Sequence, residues 1–222
     1  MQVMIEYAAS RRTMIECQIR PNRVYDSRVI GAMAELPREA FLPRAMRGVA
    51  YVDEDIPLGY GRFLMEPMVL AKLAQAAEVS AADRALVIGC GPGYSAALMA
   101  RLAKRVVAVE ADAILADQAK AAMTEFGILN VTVIRGPHAQ GYAPDAPYDV
   151  ILFDGAAGQI PQALIGQLAP SGRLVAVVPG VVMGAGKGTL VRRTGTGVST
   201  RIVFDANAPT LPGLEKEAAF VF

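Results

Sequence analysis

Ala85-Leu86-Val87-Ile88-Gly89-Cys90-Gly91-Pro92-Gly93-Tyr94 is the stretch that decides the fold. Its first four residues are apolar, the pattern of a strand buried on both faces. Three glycines at alternate positions then make a tight turn, and Tyr94-Ser95-Ala96-Ala97 opens a helix. From Asp83 onward the same rhythm repeats. Apolar runs predict strands at 85–88, 106–110, 131–134, 149–153 and 173–178, and helical patterns predict helices at 94–103, 112–126 and 160–168. Strands alternating with helices imply a parallel sheet covered on both faces, a doubly wound α/β fold.

The ends of the chain read differently. Residues 189–193, 200–204 and 218–222 are short β-rich runs, with Gly195 and Gly197 in one turn, and predict antiparallel strands at the C-terminal edge of a seven-stranded sheet. Residues 1–80 read as a helical and irregular N-terminal extension, packed with the 81–222 domain as one compact unit. Asp26-Ser27 caps a helix through Leu36 that Pro37 ends. Tyr51 to Arg62, with Pro57, Gly59 and Gly61, predicts a loop, and Pro67 fits the first turn of the next helix.

Composition removes several classes of function. The 222 residues carry 22 basic and 21 acidic side chains, so charge argues for neither nucleic acid nor a membrane surface as partner. One histidine, His138, excludes a zinc cluster and a His-based triad, so no metal is expected. Cys17 and Cys90 are too few for a disulfide framework, and no apolar run reaches membrane-spanning length. A cytoplasmic protein is the expectation.

The candidate site grows out of the glycine turn. Gly89, Cys90, Gly91 and Gly93 would bring backbone N–H groups and the helix start at Tyr94 beneath a ligand, with Cys90 there as a small side chain. The next strand, Val106-Val107-Ala108-Val109, ends at Glu110, followed by Ala111. A glycine turn facing a strand-end carboxylate holds an adenosine-bearing cofactor by its ribose hydroxyls. The spacing Gly-x-Gly-x-Gly is one residue tighter than the dinucleotide fingerprint and leans towards S-adenosylmethionine, which has no pyrophosphate to cradle. Asp112 is read as a helix cap. Pro137 and His138 follow the third strand and should border the adenine. Asp154 ends the fourth strand and is either a residue of the site or a plain turn aspartate before Gly155. Met99 and Met123 read as core.

Further residues carry a family resemblance. Arg38-Glu39-Ala40-Phe41-Leu42-Pro43, Tyr51 to Gly61, Ile88 to Ala97, Ala146 to Ile151, Ile160 to Leu164 and Gln167 to Val175 follow one another in the order seen in protein-L-isoaspartate O-methyltransferases. The chain resembles that family, as a divergent member, over roughly residues 12–180. The resemblance implies a Rossmann-like methyltransferase fold and carboxyl methylation of isoaspartyl residues in damaged protein, with S-adenosylmethionine as donor. The family's acceptor segment runs Gly-x-Gly-Gln-Thr-Ile-Ser-x-Pro. Here it is Gly59-Tyr60-Gly61-Arg62-Phe63-Leu64-Met65-Glu66-Pro67, so both hydroxyl residues are replaced. Tyr60, Gly61, Phe63, Leu64 and Met65 are thereby the substrate-side candidates. Val87 stands where the family has an acid, and Gly136-Pro137-His138 where it has Gly-Asp-Gly. Its closing Phe-Val-Pro-Leu is not evident.

A carboxylate acceptor is ionised at neutral pH, with an ordinary pKa near ~4, and needs no general base. Arg62 is the candidate catalytic residue, a cation placed to grip the acceptor carboxylate in place of the missing hydroxyls. Two alternatives follow from the departures: a methyltransferase with a more apolar acceptor, or a non-catalytic module that only binds the cofactor.

Overall fold

The computed structural model describes residues 2–180, 185–195 and 197–216. The N-terminal region begins with helix α1 (Gln2–Met14), which runs on through a π-helical stretch (Ile15–Ile19) and a 3-10 turn (Arg20–Asn22) before helix α2 (Ser27–Glu35). Asp26 caps α2 as its sequence predicts, its carboxylate accepting from Arg28 N at 2.9 Å. Where a loop was expected, strands β1 (Ile56–Gly59) and β2 (Arg62–Leu64) form a small antiparallel hairpin. Gly59 pairs with Arg62 across the two-residue turn Tyr60-Gly61, both at positive φ (56° and 69°). That backbone twist suits a two-residue hairpin. With strands of four and three residues interrupted by Pro57 and Gly59, the hairpin leaves little periodicity in the sequence. Helix α3 (Pro67–Ala76) follows, with Pro67 in its first turn.

The α/β part contains β3 (Arg84–Ile88), α4 (Tyr94–Leu102), β4 (Arg105–Glu110), α5 (Ala113–Glu125), β5 (Val131–Arg135), β6 (Tyr148–Ala156), α6 (Gln162–Gly166) and β7 (Leu168–Val178). Strands β8 (Lys187–Thr194) and β9 (Gly197–Asp205) complete a seven-stranded sheet in the order β5-β4-β3-β6-β7-β8-β9. It is parallel up to β7 and antiparallel from β7 to β9. The third antiparallel run anticipated, 218–222, lies outside the described residues.

Alternation along the strands divides the apolar side chains into two layers. Ala85, Val87, Val106, Ala108, Val150 and Leu152 face one core together with α3, α4, α5 and the N-terminal region. Leu86, Ile88, Val107, Val109, Ile151 and Phe153 face a second, covered by Leu164 of α6 and by Leu211 and Leu214 near the C-terminus. Met99 and Met123 belong to the first. The continuous apolar runs are therefore what a sheet buried on both faces requires.

The order of the sheet also fixes where a ligand can sit. The chain runs outward from β3 to β5, then returns to place β6 on the other side of β3. Beyond the carboxyl ends of β3 and β6 lies the crevice of a topological switch point. Ile88 pairs with both Val109 and Phe153, so the residues that follow these three, Gly89, Glu110 and Asp154, emerge side by side.

Candidate active site

Glu110 ends β4 with its side chain fully buried. Its Oε2 accepts from Gly91 N at 2.7 Å and from Arg62 Nε at 3.3 Å. Its Oε1 accepts from Ala111 N at 2.9 Å and Asp112 N at 3.1 Å, and lies 3.3 Å from His138 Nε2. Burial alone would raise the pKa of this carboxyl. The His138 hydrogen bond, the Arg62 charge and the Asp112 N–H together outweigh that effect and hold it down at about 2. Asp112, as its sequence position predicts, caps α5 by accepting from Leu115 N at 2.9 Å.

Arg62 is buried as well. The hairpin turns its guanidinium inward, where Nη2 donates to Gly89 O and, at 3.4 Å, to Asp154 O. Expected from sequence as a free cation for an acceptor carboxylate, Arg62 is here the ion-pair partner of Glu110. The reason is topological, since β2 delivers residue 62 over the end of β3 rather than to solvent. Tyr60, at the turn, is 61% exposed, while Leu64 and Met65 pack into the first core and Phe63 is half-buried.

The other candidates surround this pair. The imidazole of His138 is buried, and its Nδ1 donates to Pro212 O at 3.0 Å, because a carbonyl can only accept. Its Nε2 faces Glu110 Oε1 at 3.3 Å. Burial pushes the Cys90 thiol well above its ordinary range, which leaves it a packing residue rather than a nucleophile. Tyr94, buried at the start of α4, lies under the guanidinium of Arg38 at 5.0 Å. Asp154 is buried at the end of β6 and its Oδ1 has no hydrogen-bond partner. Burial pushes its pKa up to about 6, an effect that the Arg62 charge only partly offsets.

Arg38 is a buried cation that sequence reasoning missed. It donates from Nε to Ala50 O at 2.7 Å and from Nη2 to Met65 O at 2.6 Å, tying the stretch before the hairpin to the stretch after it. A charged residue in a turn-rich segment gives no periodic signal of burial, and its two carbonyl partners meet only in the folded chain.

The segment 208–214 was also missed, and it enters the site. Ala156 N donates to Pro209 O at 2.9 Å, Leu211 N to Ala156 O at 2.8 Å and Gly158 N to Leu214 O at 2.7 Å. Leu211 is thereby driven, fully buried, between Gly89, which follows β3, and Gly155 near the end of β6. A Cβ on Gly89 would stand 2.5 Å from Leu211 Cδ2 and 2.9 Å from Arg62 Nη2, and a Cβ on Gly155 2.6 Å from Leu211 Cδ2. Gly89 also holds φ +74°, so it is a glycine for conformation and for space together. Leu58 of β1 covers Gly91, at 3.5 Å from where its Cβ would be.

What remains open is the far end of the crevice. A cavity of about 420 Å³ is bounded by Ala111, Pro137, His138 and Pro212. A larger concavity, about 1020 Å³ between residues 21–28, 72–78 and 201–204, contains none of the glycine-turn residues. Among the described residues no cluster of three His, Cys, Asp or Glu side chains is disposed to hold a metal, and no helix is long and apolar enough to cross a membrane.

S-adenosylmethionine fits the donor set of this site. A strand-end carboxylate faces a turn whose backbone approaches closely, at the switch point of the sheet. In the conformation described, the volume directly over Gly89 is filled by Leu211 and Arg62.

Comparison with known proteins agrees with this geometry. The family model for protein-L-isoaspartate(D-aspartate) O-methyltransferase matches residues 9–192. A protein-L-isoaspartate O-methyltransferase of Methanoculleus marisnigri is 43% identical over 168 residues, covering 76% of either chain. A solved protein-L-isoaspartate O-methyltransferase superposes with a TM-score of 0.79 at 24% identity, over 92% of this chain and 67% of that one. A Plasmodium falciparum structure, provisionally assigned to the same family and holding S-adenosyl-L-homocysteine, superposes with a TM-score of 0.75 at 17% identity, over 92% and 97%. The two superpositions establish the Rossmann-like methyltransferase fold, and the family match over most of the chain establishes descent. The chain belongs to the protein-L-isoaspartate(D-aspartate) O-methyltransferase family.

Proposed function

We propose that this chain is an S-adenosylmethionine-dependent carboxyl methyltransferase whose acceptor is the isoaspartyl side chain of a damaged protein. The observation that carries this reading is the juxtaposition of Gly91 N and Glu110 Oε2, 2.7 Å apart at the switch point, in a chain that matches the family model across residues 9–192.

Roles follow from position. The turn residues Gly89, Cys90, Gly91 and Gly93, with the α4 start at Tyr94, hold the amino-acid end of the donor, and Glu110 with Ala111 holds the ribose. Pro137 and His138 border the adenine, and Asp154 lies at the rim of the reacting centre. Tyr60, Gly61, Phe63, Leu64 and Met65 form the acceptor side. When bound, the donor would supply a methyl group on a sulfonium, and an acceptor carboxylate that is already ionised would need no base from this chain. Positioning therefore provides most of the catalysis. Arg62 reaches an acceptor carboxylate only by leaving Glu110. The near-balance of charge supports a protein partner over nucleic acid or membrane, and we assign the chain to the cytoplasm. A first core that runs from Met14 to Ala206 supports a single unit of residues 1–80 and 81–222.

Incubation with labelled S-adenosylmethionine and an isoaspartyl peptide tests the acceptor. A base-labile methyl ester above the level of the matching aspartyl peptide is expected, and its absence overturns the isoaspartyl assignment. Phe63 and Met65, which stand where the family pattern has hydroxyl residues, favour a second reading. In it the same donor serves a more apolar carboxylic acid, which would be methylated in preference to the peptide.

A further inference from the structure

We infer that residues 208–214, with Leu211 as the wedge, form an intramolecular plug in the donor pocket, so that the cofactor binds only after this segment has lifted from the end of β6. The inference rests on the donor assignment proposed above.

Four observations converge on it. Leu211 and Arg62 occupy the space over Gly89 where the close backbone approach would receive a ligand. Both oxygens of Glu110, the ribose-side acid, already accept hydrogen bonds from this chain's own groups, Arg62 among them. His138, at the adenine end, is tied through Nδ1 to Pro212 O of the same segment. The cavity of about 420 Å³ has Pro212 and Gly213 on its rim, so an entering adenine would meet the plug first.

The attachment suits a part that moves. Three backbone hydrogen bonds, at Pro209, Leu211 and Leu214, hold the segment to β6 and the residues just after it. Pro209 and Pro212 have no N–H to add to them. A short, proline-interrupted attachment at a sheet end opens locally at less cost than the strands beneath it. Withdrawal of Leu211 would uncover Gly89 and Gly155 together, since one side chain fills the space beside both. It would also carry Pro212 away from His138. A cofactor that binds only the open form has its apparent affinity reduced by the open fraction.

Titration calorimetry with S-adenosylhomocysteine on the full-length wild type and on Leu211→Ala tests the plug, with circular dichroism to establish that the variant is folded. Amide hydrogen exchange of the wild type supplies a readout that needs no substitution. We expect the variant to bind at least tenfold more tightly. We also expect the Leu211 and Gly158 amides, protected in the free protein, to lose protection when the wild type is saturated. Equal affinity, with those amides unchanged on binding, overturns the plug and leaves the donor assignment standing. Failure of either folded protein to bind at millimolar ligand overturns the donor assignment and the plug with it.

Discussion

Two carboxylates stand side by side at the carboxyl edge of the sheet, and their surroundings treat them in opposite ways. Glu110, at the end of β4, collects three backbone N–H groups, Arg62 and His138. Asp154, at the end of β6, is equally buried but leaves one oxygen without a hydrogen bond. The first is held down at about 2 and the second pushed up to about 6. Burial raises both, so the difference comes from donors directed at the charge. The residue after a parallel strand meets the N–H groups of whatever turn lies beside it. Glu110 faces the glycine turn and the start of α5, whereas Asp154 gives its backbone oxygen to Arg62 and keeps its side chain buried with Oδ1 unpaired.

The sharpest way to break this contrast is to neutralise each acid in turn. Glu110→Gln leaves the buried Arg62 cation with carbonyl partners only, and should cost about 3–5 kcal/mol in urea unfolding at neutral pH. Asp154→Asn should be neutral or stabilising under the same conditions, because it removes a charge that the fold disfavours. A similar loss in both variants would show the two sites to be equivalent.

The pH dependence of stability should separate them next. Glu110 has a folded pKa below its ordinary value, so its contribution is complete above about 4.5 and is lost as pH falls through about 2. Asp154 has a folded pKa above its ordinary value. Stability is therefore lost as pH rises from about 4 through about 6, by on the order of 3 kcal/mol at 1.36 kcal/mol per unit. Asp154→Asn should abolish that decline between pH 4 and 6 while keeping the acid-side loss, as read from unfolding midpoints across the range.

The smallest effect concerns a carboxylate two residues from Glu110. Asp112 caps α5 from a half-buried position, and Asp112→Ala should cost about 1 kcal/mol whatever the pH between 5 and 8. A loss well beyond that would mean that the cap also orients the donors on Glu110.

The elements that sequence reading recovered share one property. Ala85 to Ile88, the glycine turn, the caps at Asp26 and Asp112 and the helix start at Pro67 are all specified by residues within one or two turns of themselves. The elements it missed depend on partners brought from afar. The hairpin at 56–64 is too short and too rich in proline and glycine to show a period, although Tyr60-Gly61 between two apolar runs was an available turn signal. Arg38 gives no hint of its burial because Ala50 O and Met65 O are assembled by the fold. Leu211, alone between Pro209 and Pro212, belongs to no amphipathic pattern.

By itself, then, the sequence determined the doubly wound sheet, the location of the crevice and the acid at its edge, since strand periodicity, glycine conformation and helix capping are local physics. Only the tertiary structure decided what fills that crevice. Arg62 and Leu211 are far from Gly89 along the chain, and no local rule assigns a partner to a buried guanidinium or to a single wedged leucine. Their positions follow from the turn of a hairpin and from three hydrogen bonds at the end of β6. Contacts of that kind exist only once the sheet has formed.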